Sequence, residues 1–272
     1  MKNKDKKQRF AVKIILITFL TIFSFSINVA SAQTEEVKKA VEETRESVNE
    51  LIEAKDEESP LDLGLRIETF KKAINLSIAE AKDLKVKLIA EDDIENEDFI
   101  IWREESLVII NNSLDYYEKF KEYTEVNKNR INEDVIKDIA LQFKEEREEK
   151  FIKINKEIRN FLLIQKAKET IDITNKRWGR IETDLENLEE AEFIDENSDL
   201  WSLLDQSKVF IEKGDKLIVE AEENFYNQKI RKTIPDNLDL SIKDDLIASL
   251  NEMRSAYQVF IEMSNMVRDL LK

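Results

Sequence analysis

"FLLI", residues 161–164, sets four apolar side chains in a row in the middle of a stretch with no proline and one glycine. That stretch, residues 135–191, keeps a helical apolar period throughout and would extend about 85 Å at 1.5 Å per residue. Such a length exceeds one face of a compact bundle. The apolar stripe also changes register on the way. It first passes through Ile136, Ala140, Phe143, Phe151, Ile154, Ile158 and Phe161, then through Ile164, Ile171, Trp178, Ile181, Leu185 and Leu188. The two stripes meet at "FLLI", where apolar groups cover every side, and a helix apolar all round is buried all round. One helix serving two successive bundles, with the handover at 161–164, reconciles these features.

The flanking sequence carries the same period. Val37, Val41, Thr44, Val48 and Leu51 form a thin heptad seam that stops at Ser59-Pro60, because the residue before proline disfavours helix. This charged segment could be a tether, a self-associating coil or a helix docked on the body. The next helix steps through Ile67, Phe70, Ile74, Ser77, Ala81, Leu84 and Leu88, and another through Phe99, Trp102, Ser106, Ile109, Ser113, Tyr116, Phe120 and Tyr123. Asn132 or Asp134 suits the cap of the long helix. After it come a helix through Leu203, Phe210, Gly214, Leu217 and Ala221, flanked by Trp201, Leu204, Ile211, Ile218 and Phe225, and a last one through Leu246, Leu250, Met253, Tyr257, Phe260, Ser264, Val267 and Leu271.

Composition agrees with an all-α chain. Three glycines and two prolines are too few for many turns, and 38% charged with 42% hydrophobic residues at helical period reads as coiled coil or bundle. Cysteine and histidine are both absent. That excludes disulfides, thiolate and imidazole zinc sites, and Ser-His or Cys-His nucleophile pairs.

The segments repeat. At an offset of 104, Ile67 meets Ile171, Ile74 meets Trp178, Ala81 meets Leu185 and Leu84 meets Leu188. The next helices align at 102 (Phe99 with Trp201, Trp102 with Leu204, Ile109 with Ile211, Tyr116 with Ile218, Tyr123 with Phe225) and the last at 106 (Ile136 with Ile242, Ala140 with Leu246, Phe151 with Tyr257, Ile154 with Phe260, Phe161 with Val267). Near-common offsets and similarly placed turns point to an internal repeat. The tetrapeptide "RIET" occurs at 66–69 and 180–183, but in this register the second copy falls opposite 76–79, so that match is coincidental. Repeat length, the shared long helix and the core tryptophan Trp178 make residues 60–272 resemble spectrin-like tandem three-helix bundles. The resemblance implies a spacer or interaction module in place of an active site. The expected organisation is a signal peptide over 1–32, a charged N-terminal helix or tether over 33–59, a first three-helix unit over 60–162 and a second over 163–272.

The N-terminus carries an address. A basic head, "MKNKDKKQRFAVK", precedes the apolar run of residues 14–29 and then "ASA" at 30–32. Basic region, apolar region and A-x-A predict a secretory signal peptide cleaved before Gln33. An uncleaved membrane anchor is the alternative. Residues 1–32 hold six basic and one acidic residue, so cleavage moves the net charge from −16 to −21. A chain so acidic repels nucleic acid and anionic lipid surfaces.

Several motifs suggest chemistry and are better read structurally. "DENSD" alternates Asp195, Asn197 and Asp199 like the start of a calcium loop, yet Leu200 and Gln206 stand where glycine and a bidentate glutamate are needed. "DIENED", from Asp93, likewise has Asp98 in the glycine position. Both read as caps and first-turn charges. Trp102, Tyr116, Tyr117, Phe120 and Tyr123 read mostly as core, with Tyr117 and Trp201 the ones expected to be partly exposed. Lys176, Arg177 and Arg180 stand out on an acidic chain, and pairing with Glu182 and Asp184 along the helix is the expected use. The sequence thus predicts no catalytic, cofactor-binding or metal residues and no cofactor. It predicts an exported non-enzymatic scaffold or spacer that binds protein partners, with neither nucleic acid nor inserted membrane as partner. An extracytoplasmic ligand- or cation-binding module with a cleft between helices is the alternative.

Overall fold

The computed structural model describes residues 34–56, 63–91, 96–127, 130–230, 232 and 239–270. Among these, all regular structure is helical. The helices are α1 (Glu35–Asp56), α2 (Leu63–Ala90), α3 (Glu97–Val126), α4 (Glu133–Glu146), α5 (Ile152–Glu190), α6 (Asp199–Phe225) and α7 (Asp239–Leu270). A π-helical turn, Arg147–Phe151, joins α4 to α5, and a second, Tyr226–Ile230, extends α6. The signal segment, Pro60, Pro235 and the first half of "DIENED", residues 93–95, lie outside the described residues. The chain divides into two compact units between Ile158 and Arg159, so α5 contributes to both.

Local chemistry sets the helix ends. The Asn96 side chain accepts from Asp98 N at 2.9 Å and opens α3. Asn132 accepts from Val135 N at 2.9 Å and opens α4, and Ser198 caps α6. Each satisfies a first-turn amide that the helix leaves unpaired.

In the first unit α2 lies at the centre and is buried on nearly every side. Helix α1 packs along it: Val37 sits against Leu76 and Ala79. Thr44 Oγ1 donates to Lys72 O at 3.2 Å, and the Ser47 and Thr69 hydroxyls meet at 2.9 Å. These buried polar pairs fix the register of a thin apolar seam. On the other side Phe70, Tyr117, Phe143 and Phe151 form an aromatic core, with Tyr117 5.2 Å from Phe143 and 5.9 Å from Phe151. Burying such rings contributes about 1.5–3 kcal/mol each.

The buried face of α3 departs from the sequence reading. Ile110, Ser113, Tyr117 and Thr124 are buried, whereas Ile109 and Tyr123 are exposed. Ser106 and Ser113 keep their expected place, but Ile110 and Tyr117 take the places of their neighbours Ile109 and Tyr116, a choice between like residues that only packing makes. Tyr117, expected to be partly exposed, is fully buried.

In the second unit α6 and α7 pack closely. The buried seam of α6 is Leu200, Leu204, Ser207, Ile211, Gly214, Ile218, Ala221 and Phe225, alternating four and three. It meets Leu246, Ser249, Met253, Ala256 and Phe260 of α7, so Leu250 and Ser264 leave the core. Small residues let the backbones approach: a Cβ at Gly214 would stand 3.3 Å from the Ser249 carbonyl oxygen and overlap the end of Met253. Helix α5 stands farther off and is bridged by long side chains. Trp178 Nε1 donates to Leu204 O at 3.2 Å, Lys208 Nζ lies 4.5 Å over the Trp178 ring, and Lys168 pairs with Glu222 at 2.9 Å. At 161–164 Phe161 and Ile164 are buried but Leu162 and Leu163 are only half-buried, so the helix is not enclosed on all sides there.

The buried positions of the two units correspond. On α2 and α5 an offset of 104 pairs buried Ile67 with Ile171, Phe70 with Thr174 and Ala81 with Leu185, while Trp178 and Leu188, opposite buried Ile74 and Leu84, are half-buried. On α3 and α6 the offset is 101, not 102: Phe99 with Leu200, Ser106 with Ser207, Ile110 with Ile211, Ser113 with Gly214 and Tyr117 with Ile218. Along α4 and α7 it is 106 through Arg147 with Met253, then 105 for Phe151 with Ala256 and Ile158 with Met263. The change falls inside the π-helical turn, which takes up one extra residue.

Candidate functional site

Two groups of side chains carry chemistry that packing alone does not require. The first is buried in the first unit. Arg147, placed inward by the π-helical turn, forms an ion pair with Glu80, and both side chains are 2% exposed. Its Nε donates to Ser77 Oγ at 3.1 Å, and its guanidinium lies 5.6 Å from the Phe151 ring centre. The Tyr117 hydroxyl is buried nearby with no hydrogen-bond partner among the described residues. Burial pushes the Tyr117 phenol well above its ordinary pKa; Arg147 opposes the shift and Glu80 adds to it. This cluster is closed to solvent, and its ion pair fixes α4 against α2.

The second group lies on the second unit, in an open cleft between α5 and α7. Ile173, Lys176, Arg177, Arg180, Ile181 and Asp184 line one wall, and Tyr257 and Ser264 the other. The α5 residues recur at three- and four-residue steps, so helical period alone puts them on one face. The Arg177 guanidinium lies 5.3 Å from the Tyr257 ring centre, a cation–π contact that orients it. The sequence reading paired the three cations with Glu182 and Asp184. Among the described residues none of the three forms an ion pair within 4 Å, and all are exposed. Three cations within five residues, against the single carboxylate of Asp184 in the lining, make this patch the opposite in sign to the chain that carries it.

The other motifs fall into structural places. In the "DENSD" turn, Asp195 Oδ1 accepts from Asn197 N at 3.0 Å and Ser198 caps α6. Of the aromatic set, Trp102 and Tyr117 are buried, Tyr116 and Phe120 are half-buried at a centroid separation of 4.6 Å, and Tyr123 is exposed. Trp201 is half-buried. The Glu80–Arg147 pair escaped sequence reading because the residues are 67 apart and both look like surface charges. The only hint was the eight-residue gap between Phe143 and Phe151.

Compared with protein-family models, curated proteins and solved structures, the chain matches none. The spectrin-like reading therefore rests on the heptad pattern of this chain alone. None of the described helices is long and apolar enough to cross a membrane.

Proposed function

We propose that the chain is an exported, non-enzymatic helical interaction protein, a spacer or protein-binding scaffold working outside the cytoplasmic membrane. The observation that carries this reading is the common burial register of the two units. It supports reading them as two copies of one helical plan, and helical repeats serve as binding surfaces more readily than as reaction chambers. The basic, apolar and A-x-A segments at the N-terminus supply the export address. The test is to express the full chain in a bacterium, fractionate the cells, and place photo-crosslinking residues at exposed helical positions. Mature protein beginning at Gln33 in the extracytoplasmic fraction, crosslinked to one recurrent envelope protein, is expected. Retention in the cytoplasm with the N-terminus intact would sink the reading. The alternative, an extracytoplasmic ligand-binding module, draws support from the α5–α7 cleft, whose cations favour an anionic ligand over a metal cation.

A further inference from the structure

In the first unit one face of α2 is covered. Thr69, Leu76 and Ala79 of that face, all buried, receive α1, as does the Lys72 carbonyl. The matched burial register carries these four positions to Ile173, Arg180, Thr183 and Lys176 of α5. There the face is bare: Ile173 is 51% exposed, and Lys176, Arg180 and Thr183 are exposed too. Three of the four line the cleft with Arg177 and Tyr257. The second unit thus presents the seat that α1 fills in the first, with Leu76 replaced by the cation Arg180 and the lysine of position 72 kept at Lys176.

The helix that fills the first seat shows what kind of segment fits. Helix α1 buries Val37, Thr44, Val48 and Leu51 in a narrow stripe and exposes Glu42, Glu43, Glu46, Glu50 and Glu53. A segment of that type laid on α5 would set its apolar stripe on Ile173, Ile181 and the Tyr257 ring. Its flanking carboxylates would meet Lys176, Arg177 and Arg180. Arginine suits this role because its planar fork takes a carboxylate bidentately, and Tyr257 already orients one such fork. Helix α1 itself is seated on α2 and does not fill this face.

We infer that the α5–α7 face of the second unit is a docking groove for an acidic amphipathic helix of a partner protein, bound as α1 binds α2. This rests on the scaffold reading and names the chemistry of its partner.

The test uses the mature full chain, residues 33–272, and a fluorescent peptide with the sequence of α1 as the acidic-helix probe. Saturable binding is expected that weakens with added salt. The double variant Arg177→Glu, Arg180→Glu should lower affinity at least ~10-fold, as expected when charge pairs are reversed. Lys119→Glu, an exposed change on α3, should leave it unaltered. A scrambled peptide of equal composition should bind much more weakly. No saturable binding, equal binding by the scrambled peptide, or binding indifferent to the double variant each overturns the inference; the last would mean that the peptide exchanges with α1 on α2. Sedimentation of the chain alone should show a monomer, and a dimer lost in the double variant would overturn the partner in favour of a second copy. Crosslinks to an envelope protein from other faces would defeat this inference and leave the scaffold reading standing. Circular dichroism of the variants controls for loss of fold.

Discussion

Gly179 and Gly214 both sit inside helices of the second unit, but only one is required there. A Cβ at Gly179 would meet nothing within 4 Å. Gly179→Ala should therefore stabilise the protein by about 0.5–1 kcal/mol, the helix-propensity gain, seen as a raised melting temperature. Gly214 faces Ser249 and Met253 across the close α6–α7 seam, so Gly214→Leu should cost about 2–3 kcal/mol by overpacking. Equal melting temperatures for the two variants would show that the seam is looser than described. At Arg147 the cost of losing one partner dominates. Arg147→Met alone should destabilise by about 3–5 kcal/mol, because Glu80 loses its buried counter-charge, and adding Glu80→Leu should recover most of it. Urea unfolding of the double-mutant cycle checks this. Tyr117 gives a pH signature. Burial raises its pKa, so the folded state favours the neutral phenol, and stability present below pH ~10 falls as pH rises beyond the unfolded value. Tyr117→Phe keeps the ring packing on Phe143 and Phe151 and removes the ionisable hydroxyl. Its alkaline loss of stability between pH 9 and 11 should be smaller than that of the parent, on the scale set by an ordinary tyrosine pKa of about 10. Sequence alone could not reach these residues: Tyr116 and Tyr117 are neighbours of equal chemistry, and only packing against α4 decides which one is buried.

The long helix was legible because about sixteen turns without proline, at 3.6 residues per turn, leave little choice. Its π-helical turn was not, since a one-residue widening leaves no composition mark. Eight residues of regular helix overshoot two turns by about 80°, which would carry Phe151 off the face that Phe143 occupies. The widened turn takes up the extra residue, and both rings stay in the core. Deleting exposed Glu149 should therefore leave a regular seven-residue spacing and cost little, under about 2 kcal/mol. Deleting exposed Lys156 shifts Ile158 and Phe161 by about 100° relative to Ile154 and should be far more damaging. Comparable melting temperatures for the two deletions would refute this account of the turn. The seams of α3, α6 and α7 were half legible for a related reason. Leu250 and Tyr257 outrank Ser249 and Ala256 on any hydrophobicity scale, yet closely approaching helices need the small residue at the contact and the large one beside it, while on α3 Ile109 and Ile110 are chemically equal and only packing buries the second. The cationic face was visible as a cluster, but its use depends on which side of α5 is bare, and that follows from register.

At the scale of the chain, charge and processing meet at α1. The predicted cut before Gln33 leaves only Thr34 between the new terminus and Glu35, where α1 begins. Processing at that site would spare the helix, whereas trimming a few residues deeper would remove Val37, which is buried on α2. The segment read as a possible tether is thus part of the core of its unit, and the acidic charge it carries lies on its outer face. Val37, Val48 and Leu51 each contribute about 1.5–3 kcal/mol of burial, offset in part by the cost of ordering 22 residues of helix. A chain beginning at residue 60 should therefore be less stable than one beginning at Gln33 by roughly 3–5 kcal/mol. It should also bind a hydrophobic dye through the uncovered Leu76 and Ala79, and addition of the α1 peptide should restore the melting temperature. An unchanged melting temperature on truncation would mean that α1 rests on α2 without stabilising it.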